Sequence, residues 1–313
     1  MAIFRLALII FALLPMIQSG LSAQTLTKVT VAAFPIDVSA LSYFAAQQGF
    51  FKKHGLDVEI VTLANGPAVA AAVVGGALDI GSGNTSTLAA AHERGIPFVM
   101  IAPSGIYLSK APTAALMVLK NSPFKTPADL AGKTVGVGGL RTISEIAVRA
   151  AVEKAGLKGD AVKYVEIPFP QLASALDSGR VDAVLVEEPA MATLLNGDGR
   201  VLAYPYDTIA PQWIEGGYFT TLDYAKSHGD VIHRFADAMA EAAVWANANR
   251  PATAAMLEQY TKGPMAPNMQ RISFPERLHA ADLQPLIDAS VRYGVLKASF
   301  PAQDMFAPGL GGN

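Results

Sequence analysis

The run Leu56-Asp-Val-Glu-Ile-Val-Thr-Leu63 alternates apolar and polar side chains, the two-residue period of a half-buried strand. Short β-rich runs recur along the chain, separated by stretches with helical spacing. Residues 29–33 read as a first strand, and Ser39 offers an N-cap for a helix that runs to His54 and stops at Gly55. After the strand at 56–63 come an Ala/Val-rich helix over 66–76 and a brief strand at 78–81. A helix capped by Asn84-Thr85-Ser86 then runs to Arg94, and a strand follows over 97–102. The middle of the chain repeats the plan: strand 133–137, helix 142–155 with Gly156 at its stop, strand 162–166, helix 170–178 and strand 181–186. Repeated βα units of this spacing predict an α/β fold whose open, mostly parallel sheets carry helices on both faces.

The halves also share a phrase, Gly76-Ala-Leu-Asp79-Ile80 against Gly179-Arg-Val-Asp182-Ala183. In both, a helix of small residues ends at Gly and an Asp opens the next strand, which points to a duplication. Two such lobes side by side turn their strand ends toward each other, so the ligand crevice is expected between them. Beyond about Trp213 the pattern becomes helical, with an apolar stripe along 230–248 and similar spacing over 251–260 and 281–293. These helices are expected to pack the returning chain onto the first lobe, and the Gly-rich tail 307–313 is expected to fray.

The first 23 residues are of another class. Arg5 is the only charge before Lys28, residues 6–17 are almost wholly apolar, and Ser19-Gly20-Leu21-Ser22-Ala23 follows. That is the form of a secretory signal peptide cut after Ala23. The competing reading, a membrane anchor, is disfavoured because the apolar stretch is shorter than the roughly 20 residues a spanning helix needs. With 313 residues, 51% hydrophobic, the chain has material for two packed lobes. A net charge of −2 and no run of Lys or Arg argue against a nucleic-acid partner. The absence of Cys removes thiolate nucleophiles, Cys-ligated zinc and iron–sulfur clusters.

Enzyme motifs are sought and mostly fail. There is no G-x-S-x-G, no HExxH and no Gly-Lys-Ser/Thr P-loop. His228 and His233 stand five apart, on different helix faces, so no metal site is assigned. Gly136-Val-Gly138-Gly139-Leu-Arg141 lacks the third glycine of a dinucleotide loop, and no cofactor is assigned. The same stretch does suggest an anion pocket. Thr142-Ile-Ser-Glu145 has the form of a capping box, free N–H groups and the helix dipole attract negative charge, Arg141 adds a full charge, and Gly138 and Gly139 admit a ligand to the backbone. An ordinary capped helix with a solvated arginine is the competing reading. Ser39, the Asn65-Gly66 turn and Thr85-Ser86 add polar helix starts after strand ends. Glu187 and Glu188, before Pro189, close strand 181–186 and either contact a ligand or favour the helix start there. Phe34, Tyr107 and Trp213 are read first as core.

Five ordered phrases carry a family resemblance: GFFKKHGLDVEIVTLANG (49–66), GGALDIGSGN (75–84), TPADLAGKTVGVGG (126–139), SALDSGRVDAVLVEEP (174–189) and HGDVIHRFADAMAEAAVWANAN (228–249). Together the chain resembles periplasmic solute-binding proteins of ABC importers, specifically the nitrate/sulfonate/taurine and thiamine-precursor group (SsuA/THI5-like, NMT1). The resemblance implies a two-lobed type II periplasmic-binding-protein fold. Lobe 1 would comprise 24–108 plus the returning chain 217–313, and lobe 2 would comprise 109–216. Carried over residue by residue, the ligand contacts fall on Phe34, Asn65, Ser82, Asn84, Thr85, Ser104, Gly139, Arg141, Thr142 and Glu187. Sulfonate binders of the group usually place an aromatic where Val186-Glu187-Glu188-Pro189 stands, and the fungal thiamine-pyrimidine synthases rely on a Cys-rich motif that is missing here.

The resulting expectation is a periplasmic, monomeric component of an ABC import system, with a membrane permease and an ATPase as partners. It would close on a small, anionic ligand of the sulfonate, nitrate, carboxylate or aminopyrimidine class. The alternative is a periplasmic enzyme on the same fold, with Glu187 or Glu188 as general base.

Overall fold

The computed structural model describes residues 25–63, 66–263 and 265–312. The expected signal peptide, with its cut after Ala23, and the expected ligand contact Asn65 lie outside them. The described residues open with β1 (Thr27–Ala33), α1 (Leu41–Gln47), α2 (Phe50–Lys53), β2 (Leu56–Thr62), α3 (Gly66–Val74), β3 (Gly81–Asn84), α4 (Thr85–Glu93), β4 (Phe98–Pro103) and β5 (Ile106–Leu108). Next come β6 (Ala114–Leu119), β7 (Thr134–Val137), α5 (Ile143–Lys154), β8 (Lys163–Glu166), α6 (Leu172–Asp177), β9 (Ala183–Glu187), α7 (Ala190–Asn196) and β10 (Gly199–Ala203). The return is built from β11 (Gln212–Ile214), β12 (Gly216–Thr221), α8 (Leu222–Ser227), α9 (Gly229–Ala248), α10 (Arg250–Thr261) and α11 (Ala280–Arg292).

These strands form two sheets of one design. In the sheet from the middle of the chain the order is β8-β7-β9-β6-β10, with β6 antiparallel to both neighbours, so four strands run one way and one is reversed. In the other, β1 pairs parallel with β2, and β12 lies antiparallel between β3 and β4. The two parts join at Ile80, whose N–H donates to the Thr30 carbonyl at 3.0 Å and whose carbonyl accepts from Ala32 N–H at 2.9 Å. The order there is β2-β1-β3-β12-β4, again with a single reversed strand.

The shared phrase is the joint in both sheets. Asp79 Oδ2 accepts from Thr30 N–H at 2.7 Å, and Asp182 Oδ2 accepts from Thr134 N–H at 2.8 Å. Each Asp thus ties the start of the middle strand to the parallel strand beside it, β1 in one sheet and β7 in the other. Each follows a glycine with a left-handed backbone, Gly76 (φ 72°) and Gly179 (φ 69°), a conformation unfavourable for residues with a Cβ.

The core lies on both faces of the sheets. Helix α9 presents Val231, Phe235, Met239, Ala242 and Ala243 to the first sheet and packs Phe235 against Phe51 and Tyr218. The chain crosses between the sheets on the antiparallel ribbon β5–β11, where Tyr107 pairs with Trp213. These two and Tyr206 form a fully buried cluster with ring centroids 5.0–5.6 Å apart.

Several local expectations are corrected. The helix expected from Ser39 to His54 is two short helices separated by Gly49, whose φ is 78°. The chain after Trp213 first completes β12 before turning helical. The tail is tied down: Ala307 N–H donates to the Met100 carbonyl and Gly312 N–H to the Leu278 carbonyl, both at 2.9 Å.

Candidate ligand-binding site

A cavity of about 340 Å³ opens between the two sheets, where their strands end. Phe34 follows β1, Ser82 to Asn84 close β3, and Ser104 follows β4 on one side. Gly138 to Ile143 connect β7 to α5, Phe169 follows β8, and Glu187 ends β9 on the other. Glu215, between β11 and β12, and Gly216, at the start of β12, complete the lining. This is where open α/β sheets place ligands, because helix starts and mobile loops gather at the carboxyl ends of strands. Phe34 and Phe169 meet from opposite walls with centroids 6.3 Å apart, and Leu88, Phe98 and Phe219 extend the apolar lining.

Of the ligand contacts expected from sequence, Phe34, Ser82, Asn84, Ser104, Gly139, Arg141, Thr142 and Glu187 line this cavity. Thr85 does not: it is buried and its hydroxyl donates to the Ile214 carbonyl at 3.0 Å, so it fastens α4 to the crossover. The α4 cap is Asn84, whose Oδ1 accepts from Thr87 N–H at 2.9 Å. Ser82 Oγ lies 2.9 Å from Ser39 Oγ, which accepts from Phe34 N–H. Ser104 is only 3% exposed, and its hydroxyl has no hydrogen-bond partner among the described residues.

The anion pocket expected around Arg141 is built differently. Its guanidinium donates to the carbonyls of Gly294 and Val295 at 3.0 and 3.1 Å, beyond the C-terminus of α11. The capping box does not form. Thr142 donates back to the Gly139 carbonyl at 2.8 Å, Glu145 accepts from Arg141 N–H at 2.7 Å, and Ile143 N–H at the start of α5 is taken by Ser86 Oγ at 2.8 Å. The room left by the glycines is also filled, since a Cβ on Gly138 would lie 2.3 Å from the Phe169 ring. Arg141 and Arg94 line the cavity at its exposed rim.

The buried side is acidic. Glu187 Oε1 accepts from the Tyr206 hydroxyl at 2.7 Å, and Glu215, 4% exposed, has one longer bond, from Thr113 Oγ1 at 3.3 Å. Burial raises the pKa of both carboxyls above the ordinary carboxylate range, and the charge of Glu187 pushes Glu215 further in the same direction. Glu188 faces away. Its two oxygens accept from Ala192 N–H at 2.9 Å and Gln270 N–H at 3.1 Å, and burial pushes its carboxyl up to about 7. It is therefore a fastener of α7 and of the returning chain.

The sequence profile described as NMT1/THI5 like matches residues 38–254, more than two thirds of the chain. The chain belongs to the NMT1/THI5-like family. Among the relatives of this family member, the formylaminopyrimidine-binding protein of Halalkalibacterium halodurans is 28% identical over 209 residues, which cover 64% of this chain and 60% of that protein. The chain thus spans less than two thirds of that relative's length. The periplasmic aliphatic sulphonate binding protein SsuA from Escherichia coli superposes with a TM-score of 0.70 at 21% identity, covering 91% of this chain and 98% of that one. The desulfurization enzyme DSZB superposes with a TM-score of 0.63 at 16% identity, covering 90% and 97%. The NMT1/THI5-like chain therefore has the two-lobed type II periplasmic-binding-protein fold, each sheet flanked by helices, a fold its neighbours use for more than one purpose.

Sequence reasoning missed two contributors to the family member's cavity. Phe169 sits in a Pro-Phe-Pro stretch that reads as a connector, and only the close approach at Gly138 reveals what it packs on. Glu215 lies in Trp-Ile-Glu-Gly-Gly, where the chain was expected to turn helical. Its carboxyl enters the cavity because β11 and β12 are both strands and Glu215, the single residue between them, faces the crevice. A lone Glu flanked by apolar and Gly residues was the available signal.

Proposed function

We propose that this protein is the solute-binding component of an ABC importer, which captures a small molecule between its two lobes and hands it to a membrane permease served by an ATPase. The single observation that carries this reading is the cavity of about 340 Å³, walled by strand ends of both sheets in a chain of this family. That volume suits a small metabolite and is sparse for a macromolecular segment. Lobe 1 takes residues 24–108 and 217–313 and lobe 2 takes 109–216, with the β5–β11 ribbon as the hinge. A ligand touching both walls holds the lobes shut, and binding shifts the open–closed population accordingly.

The protein works in the periplasm as a monomer, released from a signal peptide at 1–23. Among the described residues, no helix is long and apolar enough to cross a membrane. The enzyme alternative has less to support it. Glu188 is occupied by two backbone N–H groups and does not line the cavity, and no His lines it beside Glu187 to complete an acid–base pair.

The test is a thermal-shift and calorimetric screen of purified protein, unfolded and refolded to strip carried ligand, against alkanesulfonates, nitrate, aromatic carboxylates and aminopyrimidines. A true ligand at 100 times its Kd adds about 2.7 kcal/mol, a rise of a few degrees in midpoint, with no chemical change in the compound. Turnover of the bound compound, or no compound bound by any route, would overturn the reading.

A further inference from the structure

We propose that Arg141 is a latch across the mouth of the cavity: carried on the loop between β7 and α5, its guanidinium closes on backbone carbonyls of the other lobe and holds the two lobes shut independently of any ligand. This rests on the binding-protein reading and names the regulation of its site, because a latched mouth sets how long a captured molecule stays.

The argument begins with what each end of the contact is fastened to. Nη2 of Arg141 carries two hydrogens, and it donates to the Gly294 carbonyl at 3.0 Å and the Val295 carbonyl at 3.1 Å. Both carbonyls lie just past the C-terminus of α11, where unpaired carbonyls and the helix dipole attract a cation. The receiving segment belongs to lobe 1. The N–H groups of Lys297 and Ala298 donate to Glu93 Oε1 at the end of α4, and Leu296 is buried with Phe98 and Phe219. The other end belongs to lobe 2. Glu145 Oε2 accepts from Arg141 N–H at 2.7 Å, and its second oxygen accepts from Arg149 at 2.6 Å. With both ends fixed, the guanidinium is the part that spans the gap, and Arg141 and Val295 both line the cavity.

A second observation is the backbone. Arg141 has a φ of 56°, a left-handed conformation that is unfavourable for a residue with a Cβ and natural for glycine. The loop bears that cost at the one position whose side chain reaches the other lobe. The neighbours point the same way. Ile143 N–H donates to Ser86 Oγ of α4 at 2.8 Å, and the Tyr293 hydroxyl donates to Glu153 Oε2 of α5 at 3.0 Å. The third observation is leverage. At the start of α11, Asp282 Oδ1 accepts from Gln212 Nε2 of the β5–β11 ribbon at 3.0 Å. The 13 residues of α11 carry the chain about 20 Å from there to the latch. Rotation about the ribbon moves the far end most, so the latch parts before contacts near the hinge. None of these bonds uses a group from the acidic side of the cavity, so the latch closes without waiting for a ligand.

The test is double electron–electron resonance on the refolded protein with no compound added. Nitroxides go on Cys introduced at Val74 and Asp177, exposed ends of α3 and α6 in the two lobes, and the chain has no Cys of its own to compete. The distances are read with Arg141 intact and in Arg141→Met, Arg141→Gly and Lys158→Met. With Arg141 intact, a short, closed distance is expected beside a longer, open one. Both Arg141 substitutions should lower the closed-to-open ratio by about tenfold, the range of one hydrogen bond from a charged donor. Arg141→Gly suits the left-handed backbone, so a loss there is not a loss of fold. Lys158→Met removes an exposed cation of the same lobe outside the latch and should leave the ratio unchanged. A ratio within twofold of the parent in both Arg141 variants overturns the inference, as does an equal drop in Lys158→Met. An open distance alone with Arg141 intact overturns it too, while leaving the binding-protein reading standing. One unmoving closed distance in every variant overturns both, because the lobes would then not open.

Discussion

The strand pairs β12–β3 and β6–β9 occupy the same place in two sheets built to one order, and they fill it with different side chains. Gly216, Gly217, Tyr218 and Phe219 face Asn84, Gly83, Ser82 and Gly81. Ala114, Ala115, Leu116 and Met117 face Glu187, Val186, Leu185 and Val184. In the first sheet a large ring on the reversed strand needs glycines opposite it, and a Cβ on Gly81 would lie 2.5 Å from Phe219. In the second, medium-sized residues share the volume between both strands. The last positions, Asn84 and Glu187, both reach the cavity, yet only Asn84 caps the helix that follows. Across the cleft that duty has moved one residue on, to Glu188. A duplicated backbone thus leaves Glu187 free for chemistry where its counterpart is committed to structure.

The sharpest way to break this comparison is to write one sheet's packing into the other. Gly81→Val copies Val184 into a space that the Phe219 ring already fills, so it should destabilise the protein by about 3 kcal/mol in urea unfolding. Adding Phe219→Met copies Met117 as well and should recover at least half of that loss. If the double variant is no more stable than Gly81→Val alone, the two sheets are not packed as alternatives of one plan.

The paired joints come next in size. Asp79 accepts from both the amide and the hydroxyl of Thr30, and its own N–H donates to that hydroxyl, whereas Asp182 makes a single side-chain bond, to Thr134 N–H. Asp79→Ala should therefore lose about 2 kcal/mol and Asp182→Ala about 1 kcal/mol, since bonds to a charged acceptor are worth more than neutral ones. Equal losses, measured by the same unfolding curves, would say that the hydroxyl of Thr30 adds nothing.

Those joints were legible in the sequence, because a helix-stop glycine followed three residues later by an Asp is a local pattern with a local cause. So were the βα units and the stretches that line the cleft. The reversed strands were not. Residues 114–119 are a continuous apolar run without alternation, and Gly216 to Thr221 have the look of a turn. Only their neighbours in the sheet make strands of them. The setting of the arginine was hidden for a related reason: Arg141 and the helix start beside it read as an anion site, and in the fold the Nη2 of Arg141 donates to Gly294 and Val295 and the Ile143 N–H to Ser86, all remote in sequence. A pattern of local residues reports local hydrogen bonds well and says little about groups that a remote segment will claim.

The smallest effect sharpens the contrast between Asn84 and Glu187, because only one of these equivalent positions titrates. Burial raises the Glu187 carboxyl above its ordinary range, partly offset by the Tyr206 hydroxyl. Below about pH 4 the acid is protonated in both folded and unfolded chains, and Glu187→Gln should leave stability nearly unchanged. As pH rises past that point, the unfolded chain releases the proton while the folded one retains it, so the folded wild type binds more protons and loses stability with each step. The Gln variant escapes this loss. It should therefore match wild type near pH 4 and exceed it by about 1 kcal/mol at pH 8 in the ligand-free protein, read from urea midpoints across that range. Asn84→Ala, by contrast, should lower stability by about 1 kcal/mol through the lost cap and by the same amount at every pH in the series. A pH-independent difference for Glu187→Gln would mean that its carboxylate is balanced in the free protein, and the two strand ends would then differ in packing alone.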